Sequence, residues 1–390
     1  MSLDIAKLRE ETPGCREVLH FDNAGAALMP QAVIDAQVEH IGLEAKLGGY
    51  SAADRARPAI ERTYDAIAEM LNCGRDEIAL TENATAAWNQ AFHAFRFKPG
   101  DRILTAEAEY ASNYITYLKA ARDQGVVVEP VPSDASGQLS VPALESMVDE
   151  EVKLISISHV PTNGGLVNPA AAIGRVARGA GIPFLLDACQ SVGQMPLDVE
   201  AIGCDLLTAA GRKYLRGPRG SGFLYVRKSL LDQLDPPVLD LLSAKWEAPD
   251  RYALRPDARR FENWEFNCAA VIGLGVAVDY ACDLGLEAIE TRVQWLARRL
   301  RSILSEDMKL PVYDLGETKC GIVTFTLPDR DAATMQATLR RKNVNVSISS
   351  PASTRLDAEK RGLPELIRAS LHYYNTEEEI DRFCYALREP

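Results

Sequence analysis

The 390-residue sequence has no apolar run long enough to cross a bilayer: its longest, Cys268 to Val278, is about half of a spanning helix. No signal-peptide core follows the opening Met-Ser-Leu-Asp-Ile-Ala-Lys. Basic residues are in deficit. Against 55 Asp+Glu there are 43 Lys+Arg, a net charge of −12, which argues against a nucleic-acid or anionic-membrane partner. The densest basic groups, Arg298-Arg299 with Arg301 and Arg340-Arg341-Lys342, read as solvated helix faces. The eight cysteines contain no C-x-x-C pair, and the five histidines lack metal-ligand spacing. A disulfide framework and a metal site are therefore not expected; reduced core thiols in a soluble, cytoplasmic protein are. There is no internal repeat and no low-complexity linker. The glycine-rich run Gly217 to Gly222 lacks the G-x-x-x-x-G-K-[ST] arrangement and precedes a strand, so it is not a nucleotide loop.

What is present is an alternation of strands and helices. Leu19 to Phe21, Glu77 to Thr81, Arg102 to Thr105, Val126 to Pro130, Lys153 to His159, Pro183 to Asp187, Leu206-Leu207 and Gly222 to Val226 read as strands. Pro30 to about residue 47, Pro58 to Leu71, Ala86 to Phe95, Asn113 to Asp123, Val141 to Asp149 and Pro169 to Gly179 read as helices, with Gly48-Gly49-Tyr50 as a break. Near-continuous apolar strands between helices indicate an α/β fold with a largely parallel sheet buried on both faces. After about residue 255 the pattern changes to a long amphipathic helix, Leu286 to Ile303, then strands Gly321 to Thr326, Val344 to Ser349 and Arg368 to Leu371. Helices Ala332 to Lys342 and Glu377 to Leu387 complete a smaller α+β domain. The expected division is an arm, 1–18, packing on the small domain; a large domain, 19–255; and a small domain, 256–390.

The chemistry lies in the large domain. An apolar strand, Phe184-Leu-Leu-Asp187, delivers an acid and continues as Ala-Cys-Gln190-Ser-Val-Gly193. A second apolar segment delivers Lys213 within Ala210-Gly211-Arg212-Lys213, and the glycine-rich turn then feeds another strand. Alone, Asp187 is a helix cap, Lys213 a surface lysine and Gly217 to Gly222 a tight turn. Together, they suit a lysine that forms a Schiff base and an acid that pairs with a pyridinium nitrogen.

In this order and at this spacing the segments resemble the class V aminotransferase family, which includes cysteine desulfurases and related C–S lyases. Its members carry D-A-x-Q-x-x-G, then S-G-H-K, then G-P-x-G-x-G. The resemblance runs from Phe21-Asp22-Asn23-Ala24 to His372-Tyr-Tyr-Asn375 and beyond. It implies the fold type I of pyridoxal 5'-phosphate (PLP) enzymes, with a mainly parallel seven-stranded sheet and a homodimeric assembly. It also implies roles. Lys213 would hold the cofactor and move the Cα proton. Asp187 would face the ring nitrogen and keep it protonated. Gln190 and Thr162, with Asn163 the near alternative, would contact the phenolic oxygen. Ala84-Thr85, at a helix start, would bind the phosphate. Tyr110 falls where many relatives stack a histidine on the ring. Arg368 would grip the substrate carboxylate, with Asn23 beside the substrate.

Three departures from the family pattern matter. Ala210 and Arg212 replace the Ser and His before the lysine, which removes a phosphate hydroxyl and offers Arg212 as a charged substitute. Trp264-Glu265-Phe266 replaces the G-T-P segment that reaches the neighbouring subunit's phosphate. The loop that carries a catalytic cysteine in desulfurases is here Ser347-Ile-Ser-Ser-Pro351-Ala-Ser-Thr-Arg355, without sulfur. Persulfide formation needs a thiolate. The remaining candidates, Cys320 and Cys384, look structural by position. The expectation is a PLP enzyme acting on a small amino acid, as a C–S or β-lyase or an aminotransferase without an enzyme persulfide. An epimerase, a desulfurase-like activity and a PLP-binding protein without turnover are the alternatives.

Overall fold

A computed structural model describes residues 3–388. After the short strand β1 (Leu19–His20), seven strands form one sheet: β2 (Ile78–Thr81), β3 (Arg102–Ala106), β4 (Val127–Val131), β5 (Val152–Ser158), β6 (Phe184–Asp187), β7 (Leu206–Ala210) and β8 (Gly222–Val226). Their spatial order is β2-β8-β7-β6-β5-β3-β4. The run from β4 through β7 is parallel, and β8 is antiparallel to both β7 and β2. This is the mainly parallel seven-stranded sheet that the resemblance implies.

The period of two along each strand sorts the core into two faces. Leu154, Leu185, Leu206 and Leu224 pack with Trp88, Phe92 and Tyr117, from helices Ala84–His93 and Ala111–Gln124. Their sequence neighbours Ile155, Leu186, Leu207 and Phe223 pack on the other side with Ile67, Ile173 and Leu274. Both faces are covered, which is why these strands read as unbroken apolar runs. The two edges of the sheet differ. Pro130 lies in edge strand β4, and on edge strand β2 the Leu80 N–H donates to the buried Glu262 carboxylate at 2.8 Å.

An exposed hairpin, β9 (Ala244–Ala248) and β10 (Arg251–Leu254), follows the sheet. The smaller unit holds β11 (Ile322–Phe325), β12 (Val344–Asn345), β13 (Ser347–Ser349) and β14 (Leu366–Ser370). Three of these form an antiparallel sheet in the order β11-β14-β13, and β12 pairs in parallel with β1. Phe21, just after β1, stacks on Phe383 at 4.7 Å and lies in the smaller core with Leu300, Val323 and Ile367. Leu19 and Phe21 thus both pack in this second core.

Helix Cys268–Leu284 moves the other way. Its first eleven residues are apolar, and Val271, Ile272, Leu274 and Val278 are buried in the large core. In the arm, Leu8 packs on Ile289, Val293, Tyr373 and Tyr374, and Arg9 pairs with Glu379 at 2.8 Å. Several boundaries shift by one to three residues, and three elements differ more. Helix Gly49–Leu71 starts nine residues earlier and contains Pro58, because Gly48 at φ 81° ends the preceding helix and the next begins at once. The expected strand 344–349 splits into β12 and β13, and the helix from Leu286 ends in a π turn at Ile303–Asp307. Among the described residues no single helix is long and apolar enough to cross a membrane.

Candidate active site

Asp187 is the last residue of β6, Ser158 lies beside it at the end of β5, and Ala210 ends β7 three residues before Lys213. These are C-terminal ends of neighbouring strands, where open α/β sheets bind their ligands. A cavity opens there. It is lined by Ala84, Thr85, Tyr110, Thr162, Asp187, Gln190, Arg212 and Lys213, together with Asn113, Ser158 and Cys189. Glycine makes the close approach possible. A Cβ on Gly222 would lie 2.7 Å from the Ala209 carbonyl oxygen and 2.9 Å from the Asn83 backbone, so only glycine lets β8 run beside the helix start at Ala84.

The Asp187 carboxylate is buried and held at both oxygens. Cys189 N–H donates to Oδ1 at 3.0 Å and Asn113 Nδ2 donates to Oδ2 at 2.9 Å. The second N–H of the same amide donates to Glu109 Oε1 at 3.0 Å. Glu109 also accepts from Thr105 Oγ1, the Tyr110 and Ser158 N–H groups, and Ser158 Oγ. Burial pushes the Glu109 carboxyl up to about 7; the Ser158 hydrogen bond opposes the shift and the Asp187 charge adds to it. Burial raises the Cys189 thiol too, against the opposing charge of Lys213.

At the other end of the cavity, helix Ala84–His93 points its N-terminus inward. The Asn83 side chain caps Ala86 N–H at 2.9 Å, and the Asn83 carbonyl accepts from Ala87 N–H. Among the described residues the N–H groups of Ala84 and Thr85 have no partner, which makes an anion cradle. Gln190 donates through Nε2 to the Ala24 carbonyl at 3.1 Å, while its buried Oε1 has no partner. An unsatisfied buried oxygen, free N–H groups, an acid and an amine in one cavity fit a phosphorylated pyridine aldehyde such as PLP. Lys213 would hold it covalently, Asp187 would meet its ring nitrogen and Ala84-Thr85 its phosphate.

Arg212 lines the cavity, and its guanidinium donates to the Gly25 carbonyl. Tyr110 lines it too, at the start of helix Ala111–Gln124. Arg368 stands one residue behind, donating to Thr162 Oγ1 at 2.6 Å, the Thr162 carbonyl at 3.1 Å and Ser347 Oγ at 2.9 Å. Arg368 itself is not among the lining residues, and two further expected residues are elsewhere. The Asn163 amide is spent on the Ser350 carbonyl at 2.8 Å and Thr354 Oγ1 at 3.0 Å, where it pins the Ser350–Thr354 turn. Asn23 is fully buried, donates to the Ser370 carbonyl at 2.7 Å and accepts from the Tyr374 hydroxyl. Neither lines the cavity.

Conversely, Asn113 and Cys189 line the cavity and Glu109 stands behind Asn113, none of them singled out by the sequence. Cys189 sits inside the Asp187-to-Gln190 run, and Glu109 and Asn113 flank Tyr110 at i, i+4; those spacings were the available signal. Cys320 and Cys384 are buried away from the cavity, with thiols raised to about 11 by burial.

Residues 19–383 match the family model described as aminotransferase class-V. A probable cysteine desulfurase of Methanothermobacter thermautotrophicus is 30% identical over 98% of this chain and 97% of its own length. A cysteine desulfurase of Serratia proteamaculans is 31% identical over 100% of this chain and 98% of its own. Among solved structures, the apo cysteine desulfurase of Thermococcus onnurineus superposes with a TM-score of 0.92 at 26% identity, covering 99% of this chain and 98% of that one. The cystine C–S lyase C-DES, solved with its product cysteine persulfide, shares the fold at a TM-score of 0.86 and 22% identity, over 96% and 98% of the two chains.

Proposed function

Because this chain belongs to the class-V aminotransferase family, whose members are PLP-dependent enzymes, we propose that it is a lyase that removes a sulfur substituent from the β-carbon of a small amino acid. The observation that carries the reading is the cavity itself: Lys213 and Asp187 face one space, with free N–H groups at one end and Arg368 behind Thr162. Bound PLP supplies a ring that accepts the electron pair left when the substrate's Cα proton departs. The Lys213 amine takes that proton. The Asp187 carboxylate keeps a proton on the ring nitrogen. Arg368 orients the substrate through its carboxylate, and the β-sulfur leaves as a thiolate, which yields ammonia and a keto acid after water enters.

The absence of a persulfide step rests on the segment 347–355, which offers hydroxyls and no thiol. A second reading, a cysteine desulfurase, is favoured by Cys189, which lines the cavity. One assay separates them. Cysteine and cystine are supplied, and keto acid, sulfide and protein-bound persulfide are measured for wild type and Cys189→Ser. Keto acid with no protein persulfide, at rates within about threefold in both proteins, supports the lyase. A persulfide that Cys189→Ser abolishes supports the desulfurase. Lasting amino-group transfer to an added keto acid overturns both in favour of an aminotransferase. Analogues that lack the α-carboxylate are expected to lose about 100-fold or more in kcat/KM, the scale of a charged hydrogen-bonded pair. Equal turnover would remove Arg368 from its role.

We place the assembly as a cytoplasmic homodimer. All eight thiols are free, as a reducing compartment keeps them. Tyr50, Leu242, Trp264 and Phe266 line one open groove, and Tyr50 and Trp264 are 77% and 54% exposed. Large exposed apolar surface of this kind marks an interface. Sedimentation should give a dimer for wild type and a monomer for Trp264→Glu. A monomeric wild type would remove the interface.

A further inference from the structure

Asp187 is held by a chain of contacts that no single motif contains. Its Oδ2 depends on one N–H of Asn113, and the other N–H of that planar amide is committed to Glu109. Asn113 makes no other side-chain hydrogen bond among the described residues, so its orientation is set by these two carboxylates. Glu109 is anchored far more firmly. It accepts from Thr105 at the end of β3, from the N–H and hydroxyl of Ser158 at the end of β5, and from the N–H of Tyr110. It is buried, while Asp187 opens onto the cavity. A simple β3-to-β5 staple needs only the Thr105 and Ser158 bonds. The bond to Asn113 is extra, and it leads to the site.

We propose that Glu109 is a positioning residue for Asp187: through the Asn113 amide it fixes the direction in which the Asp187 carboxylate faces the cofactor's ring nitrogen. The inference rests on the PLP reading above. Glu109 is not among the residues that line the cavity. With Oδ1 held by Cys189 N–H and Oδ2 by Asn113, the carboxylate plane is defined at both oxygens. Releasing Asn113 leaves one bond, and the plane becomes free to turn.

The test is a double-mutant cycle on cofactor affinity. Wild type, Glu109→Gln, Asn113→Leu and the double variant are stripped and retitrated with PLP. Each single variant is expected to bind about tenfold more weakly, and the double variant also about tenfold, because both changes break one path. The pH profile of the long-wavelength cofactor band should move in the same direction in all three variants. A merely structural Glu109 would lower thermal stability and leave that profile in place. Additive losses, near a hundredfold in the double variant, overturn the proposal. If Glu109→Gln does not fold, Asn113→Leu decides alone: unchanged affinity and an unchanged profile overturn it. A wild type that takes up no PLP defeats the reading of function itself; a wild type that binds while the variants match it defeats only this inference.

Discussion

Lys213→Ala is expected to lower kcat by at least ~10⁴-fold while leaving the fold intact. In the proposed function the amine has two tasks, anchoring the cofactor and moving the Cα proton, and alanine would remove both. The side chain is half-buried in a turn after β7, with Cys189 as a neighbour, and forms no part of a hydrophobic core. Stability should therefore change by no more than ~1 kcal/mol, the range of substitutions that open no core cavity. Turnover, thermal unfolding and the visible band of the lysine-bound cofactor check this together. Small primary amines added in solution should restore a fraction of the turnover, because they replace the proton-moving group. Activity within tenfold of wild type would show that another group moves the proton.

Asp187→Asn should have the second largest effect, about 10³-fold in kcat. A carboxylate about 4 Å from a protonated ring nitrogen is worth about 4 kcal/mol at an effective dielectric near 20, which is roughly a thousandfold in rate. The amide also creates a local conflict. Asp187 accepts from Cys189 N–H on one oxygen and from Asn113 Nδ2 on the other. Whichever way an asparagine turns, its NH₂ meets one of these donors. Asp187→Ala loses the charge without that opposition of donors. The two variants should share the loss in kcat, with Asp187→Asn the less stable on thermal unfolding. Equal stability would mean that the Asn113 contact rearranges freely.

The parts of the site that the sequence discloses are those whose chemistry is local. An acid at a strand end, a glutamine three residues on and a lysine beside a glycine-rich turn keep their spacing in any fold that uses them. Glu109 and Asn113 acquire meaning only after β3, β5 and β6 lie side by side, because their partners Ser158 and Asp187 are 49 and 74 positions away. The same distance hides why Asn23 and Asn163 leave the site. Their amides answer to Ser370 and Thr354, 347 and 191 positions along the chain. The sheet was legible because burial on both faces writes long apolar runs. The early start of helix Gly49–Leu71 was not, because Pro58 argues for a helix start, whereas here it lies well inside the helix.

The two rims of the large sheet have a consequence for how this chain keeps its own company. A bare strand edge invites another chain to add itself, and repetition of that step builds fibres. Here one rim carries Pro130, with no N–H to offer a newcomer, and on the other the Leu80 N–H is already taken by Glu262. Each rim thus withholds one of the N–H groups that a newcomer would use. In the homodimer proposed above, self-association falls to the aromatic groove, where two copies would meet once and the contact would close on itself.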